Sequence, residues 1–376
     1  MYLAKTLFNM YSRAVHIGYD IYQKINFVNI FTNTVVAIVI LIMAVTLNGE
    51  WVVISAHIMR QYGIPVREVN HTTLDEAFHG LYLKNFRSVW IRTQLSAFGI
   101  YVIAACFLHW YYYVRQKDTP ETWKCQPKTW LSREQEIDEI KNGILCLLVL
   151  NTWSALVACY IENEGKYSTV YYKWDEYGWI WLLLQLPVVY LYHDFVAYWM
   201  HRFLHMPYFF KRFHSLHHRY KQPTAFSTTA VHPVELSSIQ ILVAVPLFTV
   251  PVHWLPFSLA MIILYANGII SHSGIDFKFR YWMPFLAPAI FHDNHHQYYH
   301  VNFGINSKLW DKIFGTYRRP DRVYNKDIYY GRGKPIDELT MEEIKTEIEE
   351  RENEIPRSFE EDNDPAILVY LKSKIK

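Results

Sequence analysis

Charged side chains are scarce in this sequence: Asp, Glu, Lys and Arg make up 19% of its 376 residues, against about 25% in an ordinary soluble domain. The 37 basic and 35 acidic residues nearly cancel, leaving a net charge of +2. No overall basic field exists to hold a phosphate backbone, so no nucleic-acid partner is expected. Cysteine is rarer still, at four positions, Cys106, Cys125, Cys146 and Cys159. None forms CxxC or a paired spacing, which excludes a disulfide framework and a zinc knuckle. Three of them lie in apolar runs and are expected as buried thiols. An HExxH zinc-protease box is absent as well, and no internal repeat or second soluble domain is visible.

What is abundant is apolar and aromatic: 51% of residues are hydrophobic and 17% are Phe, Trp or Tyr. The mean hydropathy is near zero because long apolar runs alternate with polar stretches, the pattern of a chain that crosses a membrane several times. Phe27 to Leu47 carries no charge and meets the roughly 20 residues a helix needs to cross the hydrocarbon. It is too long and too far from the N-terminus for a signal peptide. Further expected spans run from Val89 to Val114, Gly143 to Ile161 and Gly178 to Tyr198, followed by a transmembrane hairpin near 237–270, broken at Pro251 and Pro256. Six such lengths in one chain argue against buried core helices of a soluble protein. The expected fold class is therefore all-α: a polytopic membrane helix bundle with a cytosolic histidine-rich helical cap. Its divisions are an N-terminal membrane-spanning region 1–177, a catalytic region 178–319 and a cytosolic acidic helical tail 320–376.

Loop charges orient the bundle. The N-terminal arm carries Lys5, Arg13 and Lys24 against Asp20, whereas 162–177 carries two lysines against Glu162, Glu164, Asp175 and Glu176. Positive-inside then places both termini in the cytosol. Asn70-His71-Thr72 is a glycosylation sequon in the loop this assigns to the lumen. Ser132 with Gln135 and Thr340 with Glu343 have capping-box spacing and open helices. In the tail, Ile336, Leu339, Ile344, Ile348 and Ile355 recur near helical spacing, and Glu342, Glu343, Glu347, Glu349 and Glu350 are expected on a solvated face. Lys372 and Lys374 stand fifth and third from the carboxyl end, which resembles a dilysine retrieval signal for the endoplasmic reticulum.

The chemistry lies in the histidines. Thirteen of the 18 fall between His193 and His300, where even spreading would put about five. Three patterned groups stand there: His201-Arg-Phe-Leu-His205, His214-Ser-Leu-His217-His218 and His292-Asp-Asn-His295-His296. On a helix, positions i, i+3 and i+4 share one face, so each group is expected to present two or three imidazoles to a single point. Eight buried imidazoles without a metal would be electrostatically costly. Neutral imidazole suits Fe, Zn, Cu or Ni, and eight ligands exceed what one ion accepts, so two ions are implied. His57, His109 and His253 are expected as hydrogen-bonded core residues, and His16, His71 and His79 as surface or loop residues. Asp194 lies seven residues before His201 and Asp293 lies inside the last group. Either carboxylate could orient a ligand imidazole.

These boxes, in this order, resemble the fatty acid hydroxylase superfamily of integral-membrane di-iron enzymes, which includes sterol C5-desaturases, C4-methyl oxidases, cholesterol 25-hydroxylases and sphingolipid hydroxylases. The likeness runs from about Pro187 to Arg319. Tyr198-Trp199-Met200-His201-Arg202 is similar to the family's first box, and Thr229-Ala230-Val231-His232-Pro233-Val234-Glu235 to the HPxE segment of the C5-desaturase branch. Ser271-His272-Ser273-Gly274 and the segment Leu309 to Thr316 are closer to the C4-methyl oxidase and 25-hydroxylase branches. The resemblance implies His201, His205, His214, His217, His218, His292, His295 and His296 as iron ligands, with His232 and His272 as additional ones. His300 departs from the family pattern, and His193 has no counterpart in it.

The resemblance further implies two iron ions and electrons from NAD(P)H through a cytochrome b5-type carrier. That carrier is expected as a separate protein, since no fused carrier is visible: His232-Pro233 continues into Val234-Glu235 and lacks the diglycine of a haem-binding HPGG. From Gly178 to His205, about 42 Å of helix exceeds about 30 Å of hydrocarbon, so the first box is expected at the cytosolic surface of an endoplasmic reticulum membrane. The expected reaction is oxygen-dependent hydroxylation or desaturation at an unactivated C–H of a lipid, a sterol first, with a fatty-acyl or sphingolipid substrate as the alternative. The ligand set does not separate hydroxylase from desaturase. A silent membrane scaffold would lack box histidines, and a metal transporter would place ionisable groups within several spans.

Overall fold

A computed structural model describes residues 80–277, 286–324, 333–354 and 365–375. The expected span from Phe27 to Leu47, His16, His57, His71, His79, the Asn70 sequon and Ile355 lie outside the described residues. Helix α1 (Phe86–Leu108) continues as a π-helical segment, His109–Arg115, and is followed by α2 (Arg133–Glu162) and α3 (Trp179–Leu204). Ser132 accepts from Gln135 N–H while the Gln135 side chain accepts from Ser132 N–H, so the capping box sets the start of α2. Its charged first turns and its apolar run form one continuous helix.

Helices α1 and α2 are stitched by polar contacts within their apolar interface. Trp90 Nε1 donates to Thr152 Oγ1 at 2.9 Å, Gln94 Nε2 to Leu148 O at 3.1 Å, and Asn151 Nδ2 to Gln94 Oε1 at 3.2 Å. On α3, Ile180, Leu183, Leu184, Val188, Leu191 and Phe195 are exposed, while Leu182, Gln185, Val189 and His193 are buried. The outward stripe is what a lipid-facing helix presents, since the usual polar outer face is missing.

After the short helix α4 (Pro207–Arg212) and two 3₁₀ segments, His214–Arg219 and Ala225–Thr229, come α5 (Pro233–Ala244), α6 (Pro246–Thr249) and α7 (Trp254–His272). Both legs of the expected hairpin are helical and apolar, and they differ in length. The first leg, Pro233–Thr249, is a shorter apolar helix, and only α7 has the length and hydropathy to cross. The leg is about 26 Å long against about 30 Å of hydrocarbon. Between the legs, β2 (Val252–His253) pairs in parallel with β1 (Val170–Tyr171). Gln185 of α3 locks this corner, donating to Tyr171 Oη and accepting from His253 N–H, both at 2.6 Å. Four helices among the described residues are long and apolar enough to span a membrane: 86–115, 133–162, 179–204 and 254–272.

The remaining elements sit beyond the spans: α8 (Ala289–Tyr298), α9 (Leu309–Phe314), the antiparallel pair β3 (Arg322–Val323) and β4 (Lys334–Pro335), α10 (Met341–Glu352) and α11 (Pro365–Ile375). Thr340 and Glu343 cap α10 reciprocally. Ile336, Ile344 and Leu371 form a small core with Leu339, Ile348 and Ile367. The fully solvated acidic face is not observed. Glu347 is buried against Arg351 Nε at 2.7 Å and Arg318 at 3.7 Å, and Glu354 takes Arg318 Nη1 at 2.9 Å. Burial and the neighbouring Glu347 push Glu350 up to about 7. The tail is thus tied to Arg318 by charge pairing and to Tyr298 of α8 by a hydrogen bond to Glu354, while its apolar face packs against α11. Among the thiols, Cys106 is exposed while Cys125, Cys146 and Cys159 are buried. An apolar neighbourhood in sequence did not predict burial for Cys106, because its helix presents that side outward.

Candidate metal centre

The last turn of α3 carries His201 and His205, and Pro207 starts the next helix just past them. The 3₁₀ segment after α4 carries His214, His217 and His218. Helix α8 carries His292, His295 and His296, and α7 ends on His272. These four segments converge into two buried groups. One holds His201, His205, His214, His218 and His295, the other His217, His272, His292 and His296, with ligand-capable atoms within 4.8 Å of one another in each.

The boxes therefore do not each serve a single point, as their spacing predicted. His214 and His218 enter the five-histidine group, while His217 crosses to the other. His292 and His296 enter the four-histidine group, while His295 crosses back. At about 100° per residue, positions i and i+4 lie only about 40° apart, whereas i+3 falls on the opposite side of i. Box two makes the same split on a 3₁₀ turn, where i and i+3 eclipse, so there the docking of the segment and not the helical offset divides the histidines. The second and third boxes each straddle both sites, which brings the two groups together.

Hydrogen bonds at the outer ring nitrogens fix the tautomers. His201 Nδ1 faces Phe303 O at 2.7 Å, His295 Nδ1 faces Val301 O at 2.6 Å, and His272 Nδ1 faces Gly268 O at 2.8 Å. His214 Nδ1 faces the Glu235 carboxylate at 2.8 Å. A carbonyl or carboxylate only accepts, so each Nδ1 must carry the hydrogen and each Nε2 must offer a lone pair. Those Nε2 atoms point at each other. His218 Nε2 lies 3.1 Å from the Nε2 of each of His205, His214 and His295, His201 lies 3.1 Å from His214, and His292 lies 2.9 Å from His272.

Convergent lone pairs repel unless a cation sits among them. Two nitrogens held at about 2.1 Å from one ion at right angles stand about 3.0 Å apart, the spacing observed. Burial, reinforced by neighbouring imidazoles, holds His205, His217, His218, His292, His295 and His296 well below the ordinary histidine range, so they stay neutral and ready to ligate. The donor set fits two ions of the Fe, Zn, Cu or Ni class. Phe303, fully buried, packs its ring 5.0 Å from His205 and 5.5 Å from His295, closing one side of the site to water.

The expected supporting carboxylates act elsewhere. Asp194 accepts from Ser307 N–H at 3.2 Å and from the Ser307 hydroxyl, so it anchors the 301–307 loop and no imidazole. Asp293 accepts from Gln126 Nε2 at 2.7 Å and likewise orients no ring. His232 stands outside both groups: it caps α5, its Nδ1 accepting from Val234 N–H at 3.2 Å. His272, implied with it by the resemblance, lies inside one. His193 ties α3 to α5 through Val189 O at 2.7 Å and Val243 O at 3.0 Å. His253 caps α7, and His109 stacks on Tyr113. His300 lies outside both groups.

Sequence reasoning missed Glu235 as the partner of His214, although it stands in the HPxE segment. It also missed Asp311, which accepts from Phe303 N–H at 2.8 Å, Gly304 N–H at 2.7 Å and Thr316 Oγ1 at 2.7 Å. Asp311 thereby sets the loop whose Phe303 carbonyl orients His201. Lys372 pairs with Glu352 at 2.8 Å and Lys374 with Asp337 at 3.0 Å on the helical α11.

Residues 186–316 match the family described as Fatty acid hydroxylase. The chain is 29% identical over 173 residues to lathosterol oxidase of Mus musculus, covering 45% of this chain and 58% of that protein. It is 31% identical over 179 residues to a Delta(7)-sterol 5(6)-desaturase of Aspergillus fumigatus, covering 45% and 47%. A probable Delta(7)-sterol 5(6)-desaturase of Neurospora crassa is 28% identical over 249 residues, covering 63% and 69%. The chain spans about half the length of the first two of these curated relatives. No solved structure matches the chain.

Proposed function

We propose that this chain, of the fatty acid hydroxylase family over residues 186–316, is an oxygen-dependent oxidoreductase that hydroxylates or desaturates an unactivated C–H of a membrane lipid, a sterol first. The observation that carries the reading is the pair of buried histidine groups with facing Nε2 lone pairs. The sterol enzymes among the relatives favour a sterol over a fatty-acyl or sphingolipid substrate. His201, His205, His214, His218 and His295 would hold one iron, and His217, His272, His292 and His296 the other. Bound iron supplies the oxygen activation that no side chain provides.

The chain's own residues hold and shield. Glu235 and the Phe303, Val301 and Gly268 carbonyls keep four imidazoles in the ligating tautomer. Asp311 and Asp194 brace the 301–316 segment behind them. Phe303 excludes water from one flank. Electrons from NAD(P)H would arrive through a separate cytochrome b5-type carrier at the cytosolic surface, in an endoplasmic reticulum membrane with both chain termini cytosolic.

Comparative sterol and fatty-acid profiles of cells carrying wild-type chain, His218→Ala or none test the reading. The expected result is one sterol converted to a more oxidised product by wild type only. A change confined to acyl chains or sphingolipids would move the substrate. Identical profiles in all three would overturn the oxidoreductase reading in favour of a scaffold.

A further inference from the structure

The four-histidine group draws on three chain segments, and all three are fastened to one stretch that lies outside the matched region 186–316, namely Trp123 to Gln126. Gln126 is buried, and its single Nε2 donates both hydrogens: one to Lys221 O at 2.9 Å, just past box two, and one to Asp293 Oδ2 at 2.7 Å, inside box three. The same stretch pairs antiparallel with the turn that follows His272. Lys124 bridges to Ile275, Cys125 N–H donates to Gly274 O at 2.9 Å, and Asp276 N–H donates to Trp123 O at 2.8 Å.

Lys124 holds the strap in shape. Fully buried, its Nζ donates to Gln126 O at 2.7 Å and to Thr129 O, and lies 4.9 Å from the Trp130 ring centroid. Gly274 makes the approach possible: at φ +66° an added Cβ would stand 2.5 Å from Pro223 O and 2.4 Å from Tyr113 Oη. Among the described residues no hydrogen bond joins this stretch to α3, which supplies His201 and His205 to the five-histidine group. The strap thus joins all three segments of the four-histidine group; of the five-histidine group it reaches boxes two and three but leaves α3, with His201 and His205, untouched.

We propose that Gln126 is a positioning residue for the four-histidine metal site, setting the spacing of His217, His292 and His296 against His272 so that this site closes on its ion. The proposal rests on the two-site reading of the histidines and is independent of which lipid is oxidised. Gln126→Glu keeps the size, removes both donors and sets a carboxylate against a carbonyl and Asp293. Replacing a residue that supports metal ligands typically costs about 10–100-fold in affinity.

The test is anaerobic Fe(II) titration of the purified full chain in detergent, with metal analysis, chelator competition and ferrous Mössbauer spectra. Wild type should bind two ions. Gln126→Glu should keep one ion at wild-type affinity and bind the second about tenfold or more weakly, with a residual spectrum like that of His272→Ala and unlike that of His205→Ala. Asn151→Ala, which removes a buried bond between α1 and α2, should keep both ions. If Gln126→Glu yields no folded protein, Gln126→Asn, whose amide is one methylene short of its acceptors, is scored on the same scale. Two ions at wild-type affinity in the folded Gln126 variants, or equal weakening of both sites, would overturn the proposal. Fewer than two ions in wild type would instead overturn the two-site reading.

Discussion

Replacing Glu235 separates metal affinity from fold stability. Its Oε1 lies 2.8 Å from His214 Nδ1, with the two side chains only 3% and 1% exposed. A hydrogen bond to a charged group contributes about 1.5–3 kcal/mol, equivalent to roughly 10–150-fold in a binding constant. That range overlaps the 10–100-fold typical of groups that orient ligands. Glu235→Ala frees His214 to rotate and to take the other tautomer, so Fe(II) affinity should fall by about 10–100-fold at the five-histidine site. Glu235→Gln retains an acceptor oxygen and should lose less. Metal-free stability should not fall in parallel, because Glu235 Oε2 has no hydrogen-bond partner among the described residues and its desolvation is a cost the alanine removes. Chelator competition against Fe(II), run beside thermal unfolding of the metal-free protein, reads both quantities. Wild-type affinity in Glu235→Ala would refute the tautomer argument, and so would an affinity loss no larger than the loss of Tm accounts for.

The metal-free protein should lose stability as pH falls below about 6.5, because six buried histidines are held well below that value when folded while the unfolded chain protonates there. Each adds a slope of about 1.4 kcal/mol per pH unit, so Tm at pH 5.5 should lie below Tm at pH 7.5. A Tm that held or rose on acidification would contradict the burial. Arg318→Met should destabilise the chain by about 3–5 kcal/mol, since it leaves the buried Glu354 without its charge partner and Glu347 with Arg351 alone, and denaturant unfolding would show it. Changing Lys372 and Lys374 to Ser should let a tagged chain leave the endoplasmic reticulum and should also loosen the ion pairs to Glu352 and Asp337. A C-terminus reachable by protease only from the lumenal side would defeat the retrieval reading.

The box histidines were legible because helical spacing marks them, and α1, α2, α3 and α7 because their apolar runs are long enough to cross a membrane. What the spacing did not carry was how the boxes divide between sites. That division depends on the 40° offset of i and i+4 in box three and, in box two, on how its 3₁₀ turn docks, and docking is a long-range property. Glu235 stood in a recognisable segment, yet nothing in sequence joined it to a histidine 21 residues earlier. Gln126 was invisible for a stronger reason: a lone glutamine in a non-periodic stretch meets Asp293 across 167 residues. Asp194 was misassigned because two helical turns place it on the same side of α3 as His201, whereas the 301–307 loop intervenes and takes its oxygens. His232 followed its motif into a helix cap. The break between the hairpin's legs was legible in Pro251, and the chain does turn at residues 250–253, whereas the earlier start of the first leg, at Pro233, was not marked by its hydropathy.

The most direct test of the account is the iron content of the purified chain together with that of two single variants, one from each histidine group. Wild type should hold two irons per chain, and His217→Ala and His295→Ala should lose iron and lipid oxidation while remaining inserted in the membrane. Full iron content and full activity in either variant, or a wild type that binds no iron when supplied with it anaerobically, would contradict the account.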